Sequence, residues 1–149
     1  MENILIQHFL RNNKEELIMS VIGEQVQSAD WKTEKHVPVI EVKGTPKKGE
    51  AFEVQLSVGA EIAHPHTTEH HIRNIQLYFK PEGEKFIVHL GTFQFEAHGE
   101  SVEGANAGSA KCEPKVVATV TLEKPGELVA MSYCNIHGLW DNSEKLSMG

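Results

Sequence analysis

The sequence predicts an all-β fold, a seven-stranded antiparallel immunoglobulin-like β-sandwich with a short N-terminal helical extension. Three observations carry that expectation. Apolar and polar residues alternate with a period of two in one run after another beyond residue 35, as half-buried strands require. Compact Gly/Pro turn signals separate the runs, and no long helical pattern falls among them.

In chain order, Val37 to Val42 is a short β-branched run. Phe52, Val54, Leu56 and Val58 then alternate with Glu53, Gln55 and Ser57, and Ile75, Leu77 and Phe79 with Asn74, Gln76 and Tyr78. Phe86, Val88 and Leu90 keep one parity, whereas Phe93, Phe95 and Ala97 keep the other. The switch falls at Gly91, which predicts a bulge or a strand break there. Val116, Ala118, Val120 and Leu122 alternate again, and Leu128 to Tyr133 ends the series. Turns are expected at Lys43-Gly44-Thr45-Pro46 to Gly49, at Pro81-Glu82-Gly83 and at Lys124-Pro125-Gly126. Residues 99 to 114, rich in Gly, Ala, Ser and Asn, read as one long irregular loop.

Residues 1–24 differ in character and are expected to form a separate extension ahead of a sandwich at 25–149. Asn13 and Glu16 resemble the two ends of a capping box, after which Leu17, Ile18, Val21 and Ile22 make an apolar stripe. The stripe is expected to pack on the sandwich or on a neighbouring subunit.

At 149 residues, with 40% hydrophobic and 23% charged side chains, the chain has the size and composition of one ordinary globular domain. No apolar stretch is long enough to span a bilayer, and the first residues lack the basic region and cleavage site of a secretory signal. A cytoplasmic location is therefore expected. There a disulfide between Cys112 and Cys134 is disfavoured, which leaves thiol available for chemistry. With 14 basic and 21 acidic residues the net charge is −7, which argues against a nucleic-acid partner.

Nine histidines are unusual in a chain of this length, and their grouping matters more than their number. Four lie in His64-Pro65-His66-Thr67-Thr68-Glu69-His70-His71, one follows a cysteine in Cys134-Asn135-Ile136-His137, and His36 sits where the first strand begins. Imidazole and thiolate suit Zn, Fe, Cu and Ni. A Cys-x-x-His pair reaches one metal from a tight turn at a strand end. His8, His89 and His98 are expected to be solvated side chains, and Cys112 a non-ligand.

These residues resemble the superoxide reductase family, also called neelaredoxin. Glu34-Lys35-His36-Val37-Pro38 matches its first signature, His64-Pro65-x-x-x-Glu69-His70-His71 its second and Cys134-Asn135-Ile136-His137-Gly138 its third. Asp30-Trp31 and Ala97-His98-Gly99-Glu100-Ser101 agree as well, so the likeness runs from about residue 25 to 142. The resemblance implies one mononuclear non-haem iron per chain, cycling between Fe2+ and Fe3+. It makes His36, His64, His70 and His137 the equatorial ligands and Cys134 the axial thiolate. Lys35 and Glu34 then flank an open sixth position, Glu34 being placed to occupy it after oxidation, and His71 lies outside the ligand set. His66 falls in a variable slot, either incidental or an added proton donor. Met19 stands near where a shorter family member would begin. The additional cysteines of a second, rubredoxin-like iron site are lacking.

The implied reaction is one-electron reduction of superoxide to hydrogen peroxide, with electrons from an external donor, by analogy a rubredoxin. Homo-oligomers, tetramers among them, are expected on the same ground. Lys35 offsets the acidic net charge locally, since salt screens distant carboxylates beyond about 8 Å. The rival reading is a cupredoxin-like electron carrier, another sandwich with a late Cys-x-x-His. Its axial Met usually follows closely, whereas here Gly138-Leu139-Trp140-Asp141-Asn142 follows. A structural zinc site is the non-enzymatic alternative, and such sites close with four ligands.

Overall fold

The computed structural model describes residues 20–149, so the segment assigned a helix start at Asn13, and His8 with it, lies outside the described residues. Helix α1, Val21–Gln25, is capped by Ser20, whose hydroxyl accepts the Gly23 N–H at 3.3 Å. Val21 and Ile22 are exposed. Eight strands follow: β1 (Gln27–Ser28), β2 (Pro38–Val42), β3 (Ala51–Val58), β4 (Ile72–Pro81), β5 (Val88–Gln94), β6 (Lys115–Thr121), β7 (Gly126–Cys134) and β8 (Gly138–Leu146). No helix of the described residues is long and apolar enough to cross a membrane.

The strands form two sheets, one ordered β1-β8-β7-β4-β5 and the other β2-β3-β6. All pairings are antiparallel except β1 with β8, which is parallel. The alternation read from sequence sets the inner faces. Phe52, Val54, Leu56 and Val58 of β3 face Ile75, Leu77 and Phe79 of β4 and Leu128 and Ala130 of β7 across one core. Each of these side chains other than Ala130 contributes about 1.5–3 kcal/mol on leaving water. Cys134, fully buried, belongs to the same cluster.

The sandwich departs from the expected seven strands in detail. The runs on either side of Gly91 are one strand, β5, whose register against β4 slips between Leu77 and Tyr78, so the parity switch resolves as a bulge. Strand β8 was not anticipated: Asp141-Asn142-Ser143-Glu144 carries no alternation, because only Leu146 of this strand is buried. Strand β1 is too short to leave a pattern.

Five strand ends meet at one pole. Pro38 opens β2 opposite Val58, which ends β3, and Cys134 ends β7 opposite both Ile72 of β4 and Gly138 of β8. The three signature segments therefore converge although they lie far apart in the chain. Two glycines shape this pole. Gly59 has φ +87°, and a Cβ there would lie 2.6 Å from the backbone nitrogen of His64, so the chain folds tightly back as it leaves β3. Gly138, with φ +78°, closes the turn from Cys134 into β8.

Candidate metal centre

His36 stands just before β2, with its carbonyl accepting the buried Ser132 hydroxyl at 2.9 Å. His64 and His70 lie on the β3–β4 connection, Cys134 at the end of β7, and His137 in the β7–β8 turn. The four imidazoles close a quadrilateral. Successive ring centroids are 4.9 Å apart (His36–His64), 4.7 Å (His64–His70), 4.9 Å (His70–His137) and 4.5 Å (His137–His36), against 6.0 Å across His36–His70. One donor atom from each of His36, His64, His70 and Cys134 falls within 4.8 Å of the others. His137 turns Nδ1 toward them, 3.2 Å from His70 Nε2 and 3.6 Å from Cys134 Sγ.

Two rings have their tautomers set from outside. His36 Nδ1 donates to Glu34 Oε1 at 2.6 Å, and His64 Nδ1 donates to the Pro65 carbonyl at 2.8 Å. Both Nε2 atoms are then bare acceptors, and both are buried without a hydrogen-bond partner. Buried polar atoms are normally satisfied, and a cation is the partner that bare imidazole nitrogens beside a thiol accept. The donor set thus fits a transition metal, and its mixture of imidazole and thiolate suits iron.

The electrostatics agree. Burial foremost, then the neighbouring His36, His70 and Lys35 charges, pushes His64 down to about 4. Burial lowers His36 too, against the pull of Glu34, and it lowers His70 together with His137, His36 and Lys35. All three shifts favour the neutral ring, the form that ligation demands. Burial alone would raise the Glu34 carboxyl, but hydrogen bonds from the His36 ring and backbone bring it below its ordinary value. The half-buried Lys35, next to His36 in the chain, adds a smaller lowering at the same three rings.

The β3–β4 connection is held from two sides. Asn106, at φ 64°, donates to both carboxylate oxygens of Glu69 and accepts the Thr68 N–H at 2.8 Å. Asn135 donates to the Glu69 carbonyl and accepts the His71 N–H, each at 2.8 Å. His71 is buried and stacks face to face on His98 with centroids 3.5 Å apart.

Of the residues singled out in the sequence, His36, His64, His70, Cys134 and His137 come together, and Lys35 is the chain neighbour of His36. Glu34 is nearby, but its carboxylate is engaged with Nδ1 of His36, the edge opposite the bare nitrogen. His66 pairs instead with Glu113 at 3.0 Å. His89 is exposed and Cys112 is a half-buried free thiol packed against the core. His98 corrects the expectation of a solvated side chain: it is 5% exposed, covered through its stack with His71. Burial and the His71 charge lower its pKa.

Sequence reading passed over two residues at the turn. The Trp140 indole stacks on His36, centroids 5.2 Å apart and planes 17° apart, and its Nε1 donates to the His137 carbonyl at 3.2 Å. Gln27 Nε2 donates to that same carbonyl at 2.9 Å. A Trp three residues beyond the last histidine was the available signal for the first. Nothing local marked Gln27.

Residues 28–143 match the family model described as Desulfoferrodoxin. A superoxide reductase of Pyrococcus furiosus is 52% identical over 126 residues, which cover 85% of this chain and 99% of that protein. Neelaredoxin of Megalodesulfovibrio gigas is 50% identical over 125 residues, 84% of this chain and 96% of its own length. Among solved structures, superoxide reductase (neelaredoxin) from Archaeoglobus fulgidus in the reduced form superposes with a TM-score of 0.78 at 52% identity, covering 83% of this chain and 99% of that one.

Proposed function

This chain belongs to the desulfoferrodoxin family, and we infer from that membership and from its histidine–cysteine cluster that it is a superoxide reductase. It reduces superoxide to hydrogen peroxide, consuming one electron and two protons for each superoxide. The observation that carries the reading is the quadrilateral of imidazoles beside a buried thiol, with two bare Nε2 atoms turned to no protein partner.

His36, His64, His70, His137 and Cys134 would hold one iron per chain. Bound there, iron supplies a one-electron reductant and a Lewis acid for a small anion. The chain's own residues do the rest. Glu34 and the Pro65 carbonyl fix the His36 and His64 tautomers, so that both rings offer a lone pair. The Cys134 thiolate would bring negative charge and strong electron donation from a fully buried side chain. Lys35 draws the superoxide anion through the last ångströms of its approach and orients a water that passes on a proton. Glu34, whose Oε1 holds His36, would be the nearby carboxylate able to approach a bound metal.

Electrons come from an external donor. A rubredoxin is the proposed one, by analogy with the family. A homotetramer and a cytoplasmic location complete the proposal. The cupredoxin alternative gains no support, since that site has no use for four gathered imidazoles.

The deciding experiment mixes iron-loaded, pre-reduced protein with superoxide under anaerobic conditions and measures both products. One peroxide per superoxide with no oxygen is expected. Half a peroxide with half an oxygen would make the protein a dismutase, and no accelerated loss of superoxide would remove the activity altogether.

A further inference from the structure

The five donors are not held alike. His36 and His64 are buried, and His70 is braced by its backbone N–H to the Thr67 hydroxyl at 3.0 Å. With Cys134 these three form a compact four-atom group that does not need His137. His137 is exposed, beside an exposed Ile136, in a turn that ends on a left-handed glycine. Its backbone anchors are its N–H to Cys134 Sγ, at 3.4 Å, and its carbonyl, which receives both Gln27 Nε2 and Trp140 Nε1.

Those two donors are placed together by the sheet. Strand β1 pairs with β8 in parallel, with Gln27 opposite Trp140. Gln27 lies immediately before the segment that matches the family model. The indole meanwhile lies flat on His36, so one side chain ties the first donor to the last.

We propose that Gln27 and Trp140 are positioning residues that select the metal: by fixing the His137 carbonyl they hold the fifth donor in place. Without them the pole presents three histidines and one cysteine, four N/S donors, the number at which structural zinc sites close. Zn2+ generally binds a given N/S site more tightly than Fe2+, so selection of iron has to come from geometry and ligand number. The fifth donor supplies that difference. The inference rests on His137 being a ligand, as proposed above.

The test reconstitutes the full-length protein anaerobically with equal concentrations of Fe(II) and Zn(II), then measures bound metal by elemental mass spectrometry. Gln27→Leu, Trp140→Phe, their double variant and His137→Ala are compared with the unaltered chain. Phe keeps a ring against His36 while removing the N–H donor, and Gln27 is exposed, so its loss leaves the core intact. The double variant should lower the bound iron-to-zinc ratio by about tenfold, at the low end of what supporting groups contribute to metal affinity. It should approach the ratio of His137→Ala, with each single variant between. The thiolate-to-iron absorption of the oxidised protein should weaken in parallel. If His137→Ala shifts the ratio while the double variant does not, the positioning role fails and the ligand assignment stands. An equal loss of both metals would also overturn it, since that marks a merely structural role. If His137→Ala keeps the original ratio, the ligand assignment falls first and this inference with it. Should the double variant not fold, Gln27→Leu alone decides.

Discussion

The Glu34 carboxylate lies 2.6 Å from Nδ1 of His36 and also accepts the His36 backbone N–H at 3.2 Å. One acidic side chain therefore fixes both the tautomer and the backbone of the first donor. Removing it by Glu34→Ala frees the ring to rotate and to present the protonated nitrogen. Iron affinity should fall roughly 10- to 100-fold, read by competition with a chelator of known affinity. Glu34→Gln keeps an oxygen acceptor for Nδ1–H and should hold within about threefold of the original, as expected if the surviving hydrogen bond and not the lost charge does the orienting. Equal losses in the two variants would shift the explanation to charge.

Cys134 is fully buried at the end of β7, where its sulfur faces His137 Nδ1. Cys134→Ser preserves size but supplies a hydroxyl that stays protonated at neutral pH. The iron centre should be lost, with the thiolate-to-iron absorption gone and peroxide formation down by about a hundredfold or more. A serine variant that keeps full iron content and activity would remove Cys134 from the ligand set.

Lys35 directly precedes the buried donor His36 in a chain whose net charge is −7. Lys35→Ala should slow superoxide capture by about tenfold at low ionic strength. The gap should narrow as salt rises and the Debye length falls toward about 3 Å near 1 M. Pulse radiolysis across a salt series gives the second-order rates. Parallel curves for the two proteins would leave Lys35 no part in steering.

How much of this was legible beforehand varies with the physics of each part. Phe52 to Val58 could be read because a strand buried on one face must alternate, and Gly91 because an added residue inverts parity. Strand β8 could not, since Asp141 to Lys145 are half-buried or exposed and carry no apolar face. The His64–His71 run and the Cys134–His137 pair were legible because each bears a short-range pattern, whereas His36, a lone histidine, entered the set only through the family resemblance. His98 was misread for the opposite reason. A single histidine carries no sign of burial, and its cover comes from a stack with His71, 27 positions earlier in the chain. The Gln27 hydrogen bond spans 110 positions and exists only because β1 joins β8, a pairing with no local trace.

The lowered histidines make the stability of the metal-free protein depend on pH in a definite direction. His64 is held down to about 4, chiefly by burial, while in the unfolded chain it titrates near 6.5. Between those values the unfolded chain binds the extra proton, so stability rises with pH. The contribution is whole above about 6.5 and is lost as pH falls toward 4, at roughly 1.4 kcal/mol per pH unit for one such group. His36, His70 and His98 are lowered as well and steepen the same window. Glu34, also depressed, acts in the same sense below the ordinary carboxylate range. Urea midpoints of the metal-free protein should therefore drop continuously from pH 7 to pH 5. His64→Asn should flatten that slope by removing the most strongly shifted group. A midpoint that stays constant over this range would mean that the four rings are protonated in the folded chain as readily as in the unfolded one. The site would then be solvated before metal arrives, and the bare Nε2 atoms of His36 and His64 would not be poised for a cation.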